Sequence, residues 1–462
     1  MGNEFQPKWE TNFSQNGKNV CYLIIYHYIC GENYKAIIMV QYKTRTADEI
    51  LSRKLQGTGA VLIVGPKWCG KTTTAEQQAK SKVYMDDIDE GANLRELATI
   101  SPRGILKGDT PRLIDEWQLA PKIWDAVRFE VDHRGEDGQF ILTGSAVPVS
   151  TEQINHTGTG RFSWLTMRTM SLWESGDSTG EVSLGNLFSQ PTDILAPNNL
   201  TLEDIAFLVC RGGWPRATLQ NKNIALGRAF DYYDAITKTD ISRVDGIKRD
   251  EGRIVRIMRS YARHQGAQTP LSVIADDIKT NDMTSIDEKT IFSYLNALRK
   301  MFVIEDMPAW NPNLRSKTAV RTSDTHYFVD PSIAVAALGI GPNDLINDLN
   351  TFGLLFETLC IRDLRVFADA LDGNVYHYRD KNGLECDAVV HLRNGSYGLI
   401  EIKLGGDKLI QDGVQTLNAL ANKIDMDKMK PVSFKMILTA VGKYAYRRED
   451  GIYVVPIGCL KG

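Results

Sequence analysis

The chain has 462 residues, too many for one ordinary hydrophobic core, so two or three domains are expected. Its 43% hydrophobic and 24% charged residues mark a soluble globular protein, and 54 Lys plus Arg against 57 Asp plus Glu leave a net charge of −3. That balance excludes nucleic-acid binding driven by overall charge, so any such binding must use a local patch.

Seven cysteines, an odd number without Cys-x-x-Cys spacing, argue against a disulfide framework and a thiolate zinc site, and point to a reducing cytoplasm. No apolar run approaches the roughly 20 residues of a membrane helix, so no membrane partner is expected. Val20 to Tyr26 is too short, and too far from a small-residue cleavage site, for a secretory signal. Met39 reads as a second start, and residues 1–38 are expected to be a disordered or non-native-start extension, with an ordered hairpin as the alternative.

Residues 39–200 form the first expected domain. Ala60 to Val64 is an unbroken apolar run of the kind buried in a parallel sheet, and Thr73 to Lys80, without Gly or Pro, suits a helix. Between them stand Gly65, Pro66, Lys67, Trp68, Cys69, Gly70, Lys71 and Thr72, a complete phosphate-binding loop. Its backbone N–H groups, joined by Thr73 at the helix start, point at phosphate oxygens; Lys71 reaches the β- and γ-phosphates and Thr72 ligates magnesium. ATP and Mg2+ are the expected cofactors. A glycine-rich turn with an incidental lysine is the plain alternative, and the flanking strand and helix weigh against it.

A second strand, Val83 to Asp86, follows at βαβ spacing. Arg112 to Glu116 is an apolar strand ending in two adjacent carboxylates: Asp115 would hold the magnesium, and Glu116 would orient and deprotonate the attacking water. Phe140 to Ser145 is a further buried strand, with Thr143 the first choice of sensor for the γ-phosphate and Ser145 the second. Arg161, in the turn Thr157-Gly158-Thr159-Gly160-Arg161, is the candidate arginine finger for a neighbouring subunit, with Arg128 and Arg134 as alternatives.

Residues 201–320 read as helical, punctuated by Arg211-Gly212-Gly213-Trp214-Pro215-Arg216. Arg253 to Arg263 has an apolar stripe and a basic face; helices over 271–278 and 287–300 and an extended Phe302 to Glu305 follow, the pattern of a winged helix. Thr290, Ser293, Tyr294, Asn296 and Arg299 lie on or near its third helix, the element that enters the DNA major groove in such modules. Asp276, Asp277, Asp282, Asp287 and Glu288 oppose that reading by repelling phosphate.

In residues 321–462, Glu357 lies in a helix running toward Phe367, and strands over 385–390 and 399–404 make a hairpin. Alternation puts Glu401 with Lys403 on one face and Glu385 with Asp387 on a face of the partner strand. A divalent metal at Asp387 and Glu401 would offset their repulsion, and Lys403 would position a water or stabilise a charged transition state. A solvated cross-strand ion pair is the plain alternative for Glu401 and Lys403.

The loop at 65–72, Leu113 to Gln118, Ile141 to Ser145 and Met170 to Glu174 together resemble a family of prokaryotic AAA-type (AAA+ superfamily) ATP-binding proteins whose C-terminal domain is known only as a domain of unknown function. The C-terminal acids and lysine resemble the PD-(D/E)XK nucleases. That resemblance matches the helix acid to Glu357, the metal-binding aspartate to Asp387, the acid-x-lysine pair to Glu401 and Lys403, and an auxiliary position to Gln415. The fold class it implies is α/β: a P-loop parallel sheet with helices on both faces, a helical and winged-helix region, and an α/β restriction-endonuclease-like domain. The function it implies is a Mg-dependent ATPase coupled to a nuclease-like domain, with DNA or RNA and further copies of the chain as candidate partners. The alternative is an ATP-dependent switch or scaffold whose C-terminal domain binds without cleavage.

Overall fold

A computed structural model describes residues 8–13, 19–29, 32–144, 158–190, 193–282, 286–312 and 323–462. The chain divides into a small unit, Met1–Arg45, and a large one, Thr46–Gly462. In the small unit β1 (Lys8–Phe13), β2 (Asn19–Ile29) and β3 (Glu32–Gln41) form an antiparallel sheet in chain order. Met39 lies inside β3, where it pairs with Tyr22. The runs around Val20 to Tyr26 and Ala36 to Val40 are rich in β-branched and aromatic residues, and such runs pair as strands.

The large unit opens with a five-stranded parallel sheet. Its strands are β4 (Ala60–Val64), β5 (Ser81–Tyr84), β6 (Arg112–Asp115), β7 (Phe140–Gly144) and β8 (Phe162–Thr166), in the order β5-β6-β7-β4-β8. Every residue of β4 and β7 is buried, which is why both read as unbroken apolar runs. Alternate residues serve two cores. Leu62, Ile114 and Leu142 pack on the helix Lys122–Arg134 on one face; Ile63, Leu113 and Ile141 meet the helix Thr46–Leu55 on the other.

β9 (Val182–Ser183) and β10 (Leu195–Pro197) leave this domain. They pair with the far C-terminal strands Tyr444–Arg447 and Leu460–Lys461. Strands of two and three residues carry no periodicity that sequence reading can detect.

The helices Leu202–Arg211, Lys222–Ala235, Glu251–Arg263, Leu271–Asp282 and Glu288–Lys300 follow. Asp250 and Asp287 cap two of them, accepting from Arg253 N at 2.7 Å and Thr290 N at 2.8 Å. After the last, residues 303–307 run antiparallel to 325–329 through the bridges Ile304↔Phe328 and Met307↔Thr325. This ladder crosses the expected boundary at 320.

The C-terminal sheet comprises β11 (Gly373–Arg379), β12 (Glu385–Leu392), β13 (Tyr397–Lys403), β14 (Phe434–Thr439), β15 (Tyr444–Arg447) and β16 (Tyr453–Pro456), in the order β10-β15-β16-β14-β13-β12-β11. β17 (Leu460–Lys461) lies apart, beside β9. The helix Leu349–Ala370 covers one face through a core that includes Ile400 and Ile402, and Asp407–Lys423 covers the other against Leu399 and Ile437.

Candidate functional site

At the carboxyl end of β4 the chain turns through Gly65 (φ 149°), and a Cβ there would lie 2.1 Å from the Met167 carbonyl, so only glycine fits. Gly70 (φ 99°) precedes the helix Lys71–Glu76. The buried Lys71 ammonium donates to the carbonyls of Gly65 at 3.0 Å and Pro66 at 2.8 Å, which holds it at the mouth of the loop. Thr72 Oγ1 donates to Asp115 Oδ1 at 2.8 Å, and the Thr143 hydroxyl donates to the same oxygen. Glu116 follows in a left-handed conformation (φ 50°) and accepts from Gln118.

Burial pushes the proton affinity of Asp115 and Glu116 up, and the Asp115 charge adds to the rise at Glu116. Two such carboxylates beside the Thr72 hydroxyl form a hard oxygen donor set that fits Mg2+.

The loop faces a cleft of about 1320 Å³, whose lining includes Thr73 and Asp86. Its opposite wall comes from the helical region, with Trp214, Arg216, Arg228, Tyr232, Asp240 and Arg243. Lys67 Nζ lies 2.8 Å from Asp240, and the Tyr232 ring sits 5.5 Å from Trp68 and 4.2 Å from Trp214. Only the turn holding Trp214 and Arg216 was visible in the sequence; the helix Lys222–Ala235 delivers Arg228 and Tyr232, and the helical turns that follow it deliver Asp240 and Arg243. Arg211 turns away and is buried against Asp177 at 2.7 Å.

Arg161 lies elsewhere. Its carbonyl accepts from Ala60 N, at the end of β4 opposite the loop, and its side chain pairs with Asp132 at 2.8 Å. Of its alternatives, Arg128 also pairs with Asp132 and Arg134 pairs with Glu130. Ser145 falls outside the described residues.

In the C-terminal sheet β12 and β13 pair from His391↔Tyr397 to Ala388↔Ile400 and then part. There the Asp387 carboxylate accepts from Ile402 N at 2.7 Å. Lys403 Nζ stands 3.1 Å from Asp387 Oδ2 and 2.7 Å from Glu401 Oε2. Glu357 accepts a hydrogen bond from the Tyr327 hydroxyl. Burial, then the Asp387 charge, pushes Glu357 and Glu401 each up to about 8. Burial alone would lower Lys403, but Asp387 and Glu401 outweigh it and raise its proton affinity.

Glu385 does not join this group as simple alternation implied. A bulge opposite Tyr376 and Tyr378 breaks the β12 period, and Glu385 pairs with Arg379 at 3.1 Å. Gln415 is exposed, while a Cβ on Gly413 of the same helix would lie 3.4 Å from Glu401 Cβ. Among the described residues no preformed cluster of three or more metal-ligating groups exists, and the Lys403 ammonium bridges Asp387 and Glu401. Their hard oxygens fit a divalent cation in donor chemistry. Tyr327 is the residue sequence reading missed here; nothing in its local pattern connects it to Glu357.

On the helix Glu288–Lys300, Tyr294 is the one expected contact residue that is buried, and Asn296 is exposed. Tyr294 is buried with its hydroxyl accepting from Asp250 N at 2.9 Å, and Arg299 is tied to Asp306 at 2.5 Å. Thr290 bonds its own cap, Asp287, and Ser293 lies within reach of Arg249. The exposed ridge is Lys289, Phe292, Asn296 and Lys300.

Residues 57–175 match an AAA domain, 202–344 a domain of unknown function (DUF8612) and 352–460 another domain of unknown function (DUF4143). No curated protein matches the chain. Among solved structures, the Walker-type ATPase PABY2304 of Pyrococcus abyssi is similar over 64% of this chain and 98% of its own, at 15% identity and a TM-score of 0.41. The loop geometry and the AAA match together define an AAA-type, ATP-binding P-loop domain. Among the described residues no helix is long and apolar enough to cross a membrane.

Proposed function

We propose that the chain is a Mg-dependent ATPase whose nucleotide cycle controls a metal-dependent, nuclease-like C-terminal domain acting on DNA or RNA in the cytoplasm. The observation that carries the first half is the single Asp115 oxygen shared by Thr72 and Thr143, beside Lys71 and Glu116. Lys71 holds the β- and γ-phosphates, Thr143 senses the γ-phosphate, and Glu116 takes the proton of the attacking water. When bound at Thr72 and Asp115, magnesium supplies charge neutralisation on the phosphates. Arg161 acts as a finger only toward a neighbouring copy, which makes the active form a homo-oligomer.

The gathering of Glu357, Asp387, Glu401 and Lys403 supports the second half. Asp387 and Glu401 would hold a magnesium ion that polarises a phosphodiester, and Lys403 holds a water or the developing charge. The helices from Glu251 to Lys300 and the ladder after them serve as a winged helix. The switch or scaffold reading draws support from Lys403 bridging the acids and Tyr327 bonding Glu357.

Linear and single-stranded DNA and RNA, incubated with magnesium or manganese and with or without ATP, separate the two. Cleavage that survives Lys71→Ala and disappears with Lys403→Ala supports the nuclease; no metal-dependent cleavage of any substrate favours the switch.

A further inference from the structure

The phosphate loop touches the segment after β8. Met167 N donates to the Val64 carbonyl at 2.8 Å, and the Met167 carbonyl faces Gly65 and the Cys69 thiol. The next residue, Arg168, is buried and extends into the rest of the large unit, with its guanidinium 2.6 Å from both Glu305 and Asp369. Asp369 belongs to the same helix as Glu357.

Glu305 has a second arginine, Arg365, at 3.6 Å, and its backbone N–H donates to the Tyr327 carbonyl at 3.0 Å. The Arg365 guanidinium also lies 5.7 Å from the Tyr327 ring centre. Tyr327 donates to Glu357.

We propose that Arg168 transmits the nucleotide state of the phosphate loop to Glu357 through Glu305 and Tyr327, which makes the three positioning residues for the C-terminal site. The relay rests on the coupling of the two sites proposed above. Its bistable element is the carboxylate of Glu305, which has a near arginine and a far one. Displacement of Met167 and Arg168 by a reordered phosphate loop hands Glu305 to Arg365. The ladder carrying Glu305 and Tyr327 then shifts as one, because the backbone bond joins them, and the Tyr327 hydroxyl leaves Glu357. A closely packed interior favours two discrete arrangements over gradual deformation.

Hydrogen exchange on the full chain tests this, comparing nucleotide-free protein with the ADP-bound and non-hydrolysable ATP-analogue-bound forms. Peptides from 325–330 and 352–370 are expected to exchange differently between nucleotide states in the wild type. Arg168→Met should lose that difference while still binding and hydrolysing ATP, and Arg168→Lys should restore part of it. Tyr327→Phe should keep the difference at 325–330 and lose it around Glu357.

A merely structural role would change protection equally in every nucleotide state and leave the difference intact. If Arg168→Met does not fold, the lysine and phenylalanine variants still decide the matter. A wild type that binds nucleotide without any change in these peptides, or an Arg168→Met variant that keeps the change, overturns the relay. The readout needs no cleavage, so a protein that cuts nothing yet shows the difference sinks the nuclease reading and supports the relay.

Discussion

Asp115 and Glu116 are adjacent in sequence but held differently. Asp115 is fixed by two hydroxyl donors, whereas Glu116 sits in a left-handed conformation that aims it into the cleft. Glu116→Gln removes the proposed proton acceptor and keeps the shape, so ATP binding should persist while hydrolysis falls ~100-fold or more. Phosphate release beside a nucleotide-binding titration checks this. Lys71→Ala should weaken both.

Glu357 predicts a pH dependence. Its proton affinity is raised in the folded state to about 8 from an ordinary value of 4.5. Its stabilising contribution is therefore complete below about pH 4.5 and is lost as pH rises through about 8, because the unfolded chain releases its proton first. Glu357→Gln escapes this loss. In chelator the variant should melt higher than the wild type at about pH 9 and gain least at about pH 4.

Among the elements, β4 and β7 were legible because burial on both faces demands an unbroken apolar run, as in Ala60–Val64, whereas β8, with one buried residue, leaves no such run. The helix after the loop runs Lys71–Glu76, shorter than the expected 73–80, because Lys80 N already bonds the Pro111 carbonyl as the chain enters β5. The turn at Gly213 illustrates what spacing cannot show. A Cβ there would lie 2.1 Å from the Met170 carbonyl and 3.0 Å from Arg362, so two segments distant in sequence meet across it. Gly213→Ala should destabilise by about 1–3 kcal/mol through overpacking, read as a lower urea midpoint.

At the scale of the whole molecule, the AAA-type domain is joined to the C-terminal helix by buried ions. Arg362 (1% exposed) lies 3.2 Å from Asp330 (0%) and 2.7 Å from Asp363 (1%). Asp330 also accepts from Thr169 and Gly213 N, and Asp363 accepts from Leu172 N. Arg362→Met leaves two buried carboxylates uncompensated and should cost about 3–5 kcal/mol in equilibrium unfolding.

The sequence by itself determined the phosphate loop, the Asp115 and Glu116 pair and the buried strands β4, β6 and β7, because each depends on neighbours in the chain or on local periodicity. It also contained Glu357, Asp387, Glu401 and Lys403 at readable spacings, although their gathering needed the fold. Tertiary structure alone decided that β9 and β10 belong with the C-terminal strands, that Arg161 lies at the end of its sheet away from the loop, and that Tyr327 reaches Glu357. These are long-range choices made by strand pairing, helix packing and buried charge, and none leaves a period in the sequence.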